Sequence, residues 1–358
     1  MMSGTENDIM ERLKLVIDPE LKKDIVSLGF IKNVKVEGKT VSLELSLTSP
    51  ACPFINDILS EVNKSLEGYF VNVKLGYSVP SGALTRKQGI QKVKNIIGIG
   101  SGKGGVGKST IAILTALALK ETGAKVGILD ADFYGATIPS MLGAIEQPNV
   151  NENQMVEPVE YYGMKIISMS YFLPQGASLI WRGPLLAKAI DDFVTKVEWG
   201  ELDYLIIDMP PGTGDVPLTF SQERLINAAV IVSTPQPAAL NVALKMVDVF
   251  KKLNVPIVGI VENMSYLICP GSKERVNLFG QGVVESKAKE IGIDYLGSIP
   301  LFPSLREAED VGLNMEQIKD IIEIYIPIAK KIAGKVSVID FNAKERPFFL
   351  NVQKKPRQ

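Results

Sequence analysis

Histidine is absent from all 358 residues. That removes His-based catalytic triads, His general bases and His-containing zinc sites. Cysteine occurs only at Cys52 and Cys269. There is no disulfide framework, and a reducing cytoplasm is the expected setting. A basic excess is also missing: the formal net charge is −1, so nucleic acid is not an expected partner. No run approaches the ~20 apolar residues of a membrane span. The polar start, Met1 to Glu11, lacks the apolar core of a secretory signal. Chemistry is left to carboxylates, lysines, backbone amides, a bound metal and two thiols.

The hydrophobic fraction is 46% and the charged fraction 22%, ordinary for a globular chain. The length suits one large domain and a smaller one. The stretch Gly102-Lys103-Gly104-Gly105-Val106-Gly107-Lys108-Ser109-Thr110 fits G-x-x-x-x-G-K-[ST]. An apolar, β-branched run, Val93 to Ile99, precedes it; good helix formers, Ile111 to Lys120, follow. Strand, glycine loop and helix together predict a phosphate-binding loop. The backbone amides close around phosphates, Lys108 reaches the β- and γ-phosphates, and the Ser109 hydroxyl binds Mg²⁺.

Upstream, residues 1–80 read as a small α/β domain. Asp8 to Ile17 predicts a short helix with Ile9, Leu13 and Val16 on one face, and Thr40 to Leu47 alternates as a half-buried strand. Ile31 to Val36 pairs with it through the Glu37-Gly38-Lys39 turn. A helix over Cys52 to Leu66 and a strand over Phe70 to Leu75 complete the unit. Pro53 suits the first helical position, which puts Cys52 at the N-cap, where the helix dipole lowers a thiol pKa. A buried small hydrophobe is the other reading of Cys52. Residues 81–92 read as a linker, 93–335 as the nucleotide-binding domain and 336–358 as a C-terminal tail.

From Val93 onward, apolar strands alternate with helical segments, predicting an α/β fold with a mainly parallel sheet covered on both faces. Ligands bind such sheets at the carboxyl ends of the strands. Several predicted strands end in polar groups: Asp130-Ala131-Asp132, Asp208 through Asp215, Thr234-Pro235-Gln236 and Glu262-Asn263-Met264-Ser265. Asp208, after Ile206-Ile207, stands where a P-loop enzyme supports the Mg²⁺ shell. Lys103 is not required by an ordinary P-loop. It suits a cation that reaches across a dimer interface to the partner's transition state.

These residues carry a resemblance. Lys103-Gly104-Gly105-Val106-Gly107-Lys108 resembles the deviant Walker A of the MinD/ParA/nitrogenase-iron-protein class. Asp130 to Gly135, Trp181-Arg182-Gly183-Pro184, Asp208 to Asp215 and Glu262 to Tyr266 are similar to the Mrp/ApbC family of iron–sulfur cluster carriers. Asp18-Pro19-Glu20 and Thr48 to Pro53 match the small iron–sulfur-assembly domain fused to many members. The resemblance implies an ATP-dependent carrier that moves a cluster from a donor to recipient apoproteins, working as a homodimer with ATP and Mg²⁺. It implies Lys103 as the trans-acting lysine and Lys108 as the phosphate lysine. Ser109 is the Mg²⁺ ligand, Asp132 sits near the attacking water, Asp208 supports the Mg²⁺ shell, and Asn263 recognises adenine.

One departure stands out. Family members carry Cys-x-x-Cys after the Asn-Met-Ser segment, and two subunits share a [4Fe–4S] cluster. Here the stretch is Cys269-Pro270-Gly271-Ser272. Four thiolates are the usual set. The remaining ligands are open: Cys52, the Ser272 oxygen, or a thiol from donor or recipient. A chain without this cluster is the alternative, a MinD/ParA-like positioning or scaffolding ATPase. Its membrane version needs an amphipathic tail; Lys344 to Gln358 is basic around Phe348-Phe349-Leu350 but interrupted by Pro347 and Pro356.

Overall fold

The computed structural model describes residues 5–82, 84–172, 183–269 and 271–345. The first unit holds α1 (Glu6–Leu13), β1 (Ile31–Glu37), β2 (Thr40–Leu47), α2 (Ile55–Ser65) and β3 (Phe70–Tyr77). Its sheet runs β1-β2-β3, with β1 antiparallel and β3 parallel to β2. Alternation in β2 buries Val41, Leu43, Leu45 and Leu47 against Ile9, Leu13 and Val16. Helix α2 starts later than the proline predicts: Phe54 is its N-cap. Its buried residues are Ile58 and Val62, with Ile55 and Leu59 packed partly buried beside them.

The second unit follows in chain order. It begins with β4 (Val93–Ser101), α3 (Lys108–Glu121), β5 (Val126–Asp130), α4 (Ile138–Leu142), β6 (Asn149–Val150), β7 (Val156–Glu157), β8 (Val159–Tyr161) and β9 (Met164–Ser168). It continues with α5 (Gly183–Thr195), β10 (Leu202–Asp208), α6 (Asp215–Gln222), β11 (Ala228–Ser233), α7 (Pro237–Lys252) and β12 (Ile257–Glu262). It ends with β13 (Leu267–Ile268), β14 (Arg275–Val276), α8 (Val283–Glu290), β15 (Tyr295–Ser298), α9 (Pro303–Val311) and α10 (Met315–Glu345).

Among the described residues eight strands form one sheet, ordered β15-β12-β11-β4-β10-β5-β9-β8. Every pairing is parallel except β8 with β9. The strands are near-continuous apolar runs because both faces are covered. Alternate residues sort into two cores: Tyr204 and Ile206 of β10 face the side of α3 and α10, while Leu205 and Ile207 face the side of α5, α6 and α7. The carboxyl ends of the parallel strands define one edge of the sheet, the upper edge, and their starts define the lower edge.

Two findings differ from the sequence expectations, and a third concerns a placement on which the sequence carries no expectation. Helix α10 runs through the expected 335/336 boundary without a break, and Pro327 lies inside it. An interior proline costs about 3 kcal/mol; the stripe Ile318, Ile322, Tyr325, Ala329, Ile332 and Val336, all buried, offsets it. The linker is laid down on the large domain rather than strung between units. Gly82 N–H donates to Lys94 O at 2.9 Å, Arg86 donates to Val93 O at 2.6 Å, and Lys87 pairs with Asp191 at 2.7 Å. Finally, the small domain is seated on the lower edge. Ser49 Oγ and Tyr204 OH share a buried hydrogen bond of 2.9 Å, and Tyr77 OH donates to Gly123 O at 3.0 Å. Ala51 and Val79 are packed into the large domain's own core.

Candidate nucleotide site and cysteine hairpin

The phosphate loop joins β4 to α3 as the motif predicts. Gly102 passes so close to α7 that a Cβ there would lie 2.2 Å from the Val242 carbonyl carbon. Gly107 caps α3 in the left-handed region, φ 77°, and a Cβ on it would meet the Asn263 amide at 2.1 Å. Only glycine fits both positions. The first amides of α3 therefore point into the loop, ready for an anion.

Four of the expected site residues meet here. Lys108 Nζ donates to Asp208 Oδ1 at 2.5 Å and stands 3.5 Å from Asp132 Oδ2. Ser109 Oγ donates to Asp208 Oδ2 at 2.6 Å. Lys108 and Asp208 are both buried. Burial lifts the Asp208 carboxyl, and Lys108 and Ser109 pull against that. The loop residues Gly104, Gly105, Lys108, Ser109 and Thr110, with Asp132, line a pocket of 240 Å³. That is smaller than the usual ~300–1,000 Å³ of a whole small-molecule site and matches the phosphate end of a nucleotide.

Asp130 has a part of its own, which the motif Asp130-Ala131-Asp132 does not specify. It is wholly buried at the end of β5. Its oxygens accept from Asp132 N–H at 3.3 Å, Ile138 N–H at 3.2 Å and Ser168 Oγ at 3.0 Å. Burial, with Asp208 beside it, pushes its carboxyl up to about 7. Asp130 thus braces the segment that presents Asp132. The signal was available: a carboxylate closing a fully apolar strand, Val126 to Leu129.

Asn263 and Lys103 sit against the loop in ways the motif alone does not specify. Asn263, buried after β12, donates from Nδ2 to Val106 O at 3.0 Å; that amide braces the loop. Lys103 turns back on its own chain, with Nζ 3.3 Å from Gln236 Oε1. Val106 is buried beneath the loop, and Ser101 O accepts Gly212 N–H at 2.8 Å, tying the loop to the segment after Asp208.

Cys269 rises from this same edge. It follows β13 in a short hairpin with β14, only six residues beyond Asn263. Cys269 N–H donates to Glu274 O at 2.9 Å, and Cys269 O accepts Lys273 N–H at 2.9 Å. The Arg275 guanidinium stacks 3.8 Å over the Tyr266 ring at the hairpin base. Ser272, in the position of the second family cysteine, uses its Oγ to accept Glu274 N–H at 3.3 Å. Among the described residues no group of three Cys, Asp or Glu is placed to hold a metal ion. Pro270, Trp181, Arg182 and the tail from Arg346 lie outside the described residues.

Of the two readings of Cys52, the small buried hydrophobe holds, packed in the small domain's core, and the N-cap thiol does not. It is not at a helix N-cap, since α2 begins at Ile55. Its thiol is pushed up to about 11, mainly by burial, and not lowered. It also cannot complete a ligand set with Cys269 in the same chain. Its neighbours Pro53 and Phe54 face Ile257 and Asp294, at the lower edge, whereas Cys269 lies past the upper end of β12. Five residues of strand between the two edges already span about 17 Å.

The family model of the NUBPL iron-transfer P-loop NTPase matches residues 92–335. The chain belongs to that family. A second model, of an iron-sulfur cluster assembly protein, matches residues 6–70. The iron-sulfur cluster carrier protein of Synechocystis sp. is 44% identical over 347 residues, covering 93% of this chain and 98% of its own. The mouse iron-sulfur cluster transfer protein NUBPL is 41% identical over 263 residues, 72% of this chain and 82% of its own. Among solved structures, the nucleotide-binding protein of Archaeoglobus fulgidus in complex with ADP is 40% identical with a TM-score of 0.56, covering 63% of this chain and 88% of its own. The Pyrococcus furiosus cell division ATPase MinD, at 21% identity and a TM-score of 0.50 over 66% of this chain and 98% of its own, shares the fold alone.

Proposed function

We propose that this NUBPL-family chain is an ATP-dependent iron–sulfur cluster carrier that works as a homodimer in the reducing cytoplasm. It takes a cluster from a donor and delivers it to recipient apoproteins. The observation that carries the reading is the Asn263 bond to Val106. It joins the nucleotide loop directly to the segment that leads to Cys269, so cargo thiol and ATP share one edge of the sheet.

Water attacks the γ-phosphorus of ATP, and ADP and phosphate leave. The incoming β- and γ-oxygens replace Asp208 and Asp132 around Lys108, and the amides at the start of α3 take the remaining phosphate charge. The Ser109 hydroxyl and Asp208 carboxylate, oxygen donors 2.6 Å apart, fit a hard cation such as Mg²⁺. When bound, Mg²⁺ neutralises charge on the β- and γ-oxygens. Asp132 orients the attacking water, Thr110 contacts the phosphates, and Asn263 holds the loop beside the adenine. Lys103 leaves Gln236 and reaches the partner's phosphates, so each loop completes the other's site.

The cluster is cargo. Two copies of Cys269 at the dimer interface supply two thiolates, and the Ser272 oxygen or a thiol of donor or recipient supplies the rest. A labile set of this kind suits a carrier, since exchange of the outside ligands is the transfer itself. Nucleotide-driven closure of the dimer changes the spacing of the two hairpins and gates release. Anaerobically loaded protein mixed with an apo-ferredoxin tests this: MgATP should change the rate at which cluster absorbance and iron pass to the ferredoxin. Equal rates with and without MgATP contradict the reading.

A further inference from the structure

Helix α9 packs beside the phosphate pocket. Leu305 and Ala308 are buried in the core shared with α3 and α10, which fixes the inward face of α9. Glu309 stands four residues on from Leu305 and so lies on that same face. The chain after α9 is clamped to α4: Leu313 N–H donates to Met141 O at 2.8 Å, and a Cβ on Gly143 would lie 3.6 Å from Gly312 Cα. Met141 and Thr110 both line the phosphate pocket. This seat sets the Glu309 carboxyl against the Thr110 hydroxyl, the one hydrogen-bonding side chain that acts on it. Its Oε1 is buried with no hydrogen-bond partner.

Among the described residues no cation acts on this carboxyl. The one charge that does is Asp310, also negative, and Arg306 of the same helix is taken by Asp310 at 2.7 Å. Helix α4 carries no titratable residue, and Lys108 of α3 is held between Asp208 and Asp132. Glu316, Lys319 and Asp320, in the first two turns of α10, have no effect on it. An ionised carboxylate with a bare buried oxygen and no cation is costly, and a neutral carboxyl is less so.

A threonine hydroxyl has one hydrogen to give. An ionised Glu309 only accepts, so it takes that hydrogen and leaves the Thr110 lone pairs facing the phosphate, oxygen against oxygen. We infer that Glu309 is a positioning residue for the nucleotide and works in its neutral form: its carboxyl O–H donates to Thr110 Oγ1, and the Thr110 hydroxyl then donates to a phosphate oxygen. The inference rests on the phosphate loop as the nucleotide site. Binding draws a proton onto Glu309 wherever that carboxyl is ionised in the free chain. Burial, against the pull of Thr110, lifts the carboxyl from its ordinary 4.5 to about 7, and the arriving phosphate charge lifts it further. Below about pH 7 the group is already neutral and affinity is flat. Above it, affinity falls by up to about tenfold per pH unit, because a proton must be taken up with the nucleotide.

MgADP is titrated from pH 6 to pH 8 into the full chain, native, Glu309→Gln and Glu309→Ala. Glutamine has the same shape, and its amide N–H gives Thr110 the same hydrogen bond at every pH. Native affinity should fall about tenfold more than that of Glu309→Gln across this range. Ionisation of ADP and of Asp130 is common to both proteins and cancels in the ratio. Glu309→Ala should bind severalfold more weakly than Glu309→Gln at every pH. Calorimetry in buffers of different ionisation heat should show more proton uptake by the native chain than by Glu309→Gln near pH 7.5. Parallel pH profiles for the native chain and Glu309→Gln overturn the inference, as does a Glu309→Gln that binds no more tightly than Glu309→Ala. A native chain that binds no MgADP at any pH removes the nucleotide site itself, and this inference with it.

Discussion

Strand β10 ends at Asp208 among the phosphate-binding groups and passes Tyr204 near its start, where the small domain is moored. The two ends of the sheet are built on opposite terms. At the upper edge the chain concentrates charge and leaves it poised: Lys108 between Asp208 and Asp132, Asp130 buried behind them. At the lower edge the small domain is moored by a neutral hydrogen bond and small apolar seats, Ser49 with Tyr204 and Ala51 and Val79 in the core, flanked by Glu20 at Gly334 and Lys23 over the Phe341 ring. Charge that is desolvated but re-pairable suits a ligand that comes and goes; neutral, shape-determined contacts suit a domain that stays or moves as a body. The two thiols follow the same division. Cys269 is half-buried on a hairpin at the upper edge, and Cys52 is buried in the small domain's own core near the lower one.

The largest effect that would break this division is at the upper edge. Lys108→Ala should lower ATP turnover by ~10³-fold, because the phosphate charge loses its buried cation; phosphate release measures it, and near-native turnover contradicts the site. Lys103→Ala should cost about a hundredfold in turnover while nucleotide affinity changes little. Titration with a fluorescent nucleotide separates the two, and a matching loss of affinity would make Lys103 an ordinary binding residue. At the lower edge the expected effects are thermodynamic. Tyr204→Phe removes one of the two buried partners of the Ser49 hydroxyl, leaving the Ala51 N–H, and should remove about 0.5–1.5 kcal/mol in denaturant unfolding, with turnover unchanged.

The smallest effect is in pH. Burial, then the charge of Asp18, lifts the Glu20 carboxyl from its ordinary 4.5 to about 7. A carboxyl raised in the fold contributes its stability fully below about 4.5 and loses it as pH rises through about 7. Glu20→Gln should therefore flatten part of the fall in thermal midpoint between pH 5 and pH 8. Asp130 and Glu309, lifted in the same direction, keep the rest of the slope. An unchanged slope would mean that Glu20 is ionised and solvated at the α10 contact.

The upper edge was legible in the sequence because its groups follow one another locally: strand, glycine loop, helix, and carboxylates closing Leu129 and Ile207. The lower edge was not. Ser49 and Tyr204 are 155 residues apart, and a pairing of that range leaves no periodicity in either segment. The small domain's elements were readable from the alternation of Val41 to Leu47, but where that domain sits was not. Cys52 misled for a related reason. Pro53 suits a first helical position, but α2 begins at Ile55 with Phe54 as its N-cap, and Ala51 is buried against the large domain's core. The run to Glu345 in α10 was missed because Lys335, Asp340 and Asn342 interrupt its apolar stripe; Lys335 finds Asp294 at 2.6 Å and Asp340 meets Asn227 at 3.0 Å.

The most direct test of the carrier account is iron and sulfide content after anaerobic reconstitution of the native chain, Cys269→Ser and Cys52→Ser. The account predicts cluster on the native protein and on Cys52→Ser, and none on Cys269→Ser. Iron and sulfide at background on the native chain, or a full load on Cys269→Ser, would contradict it.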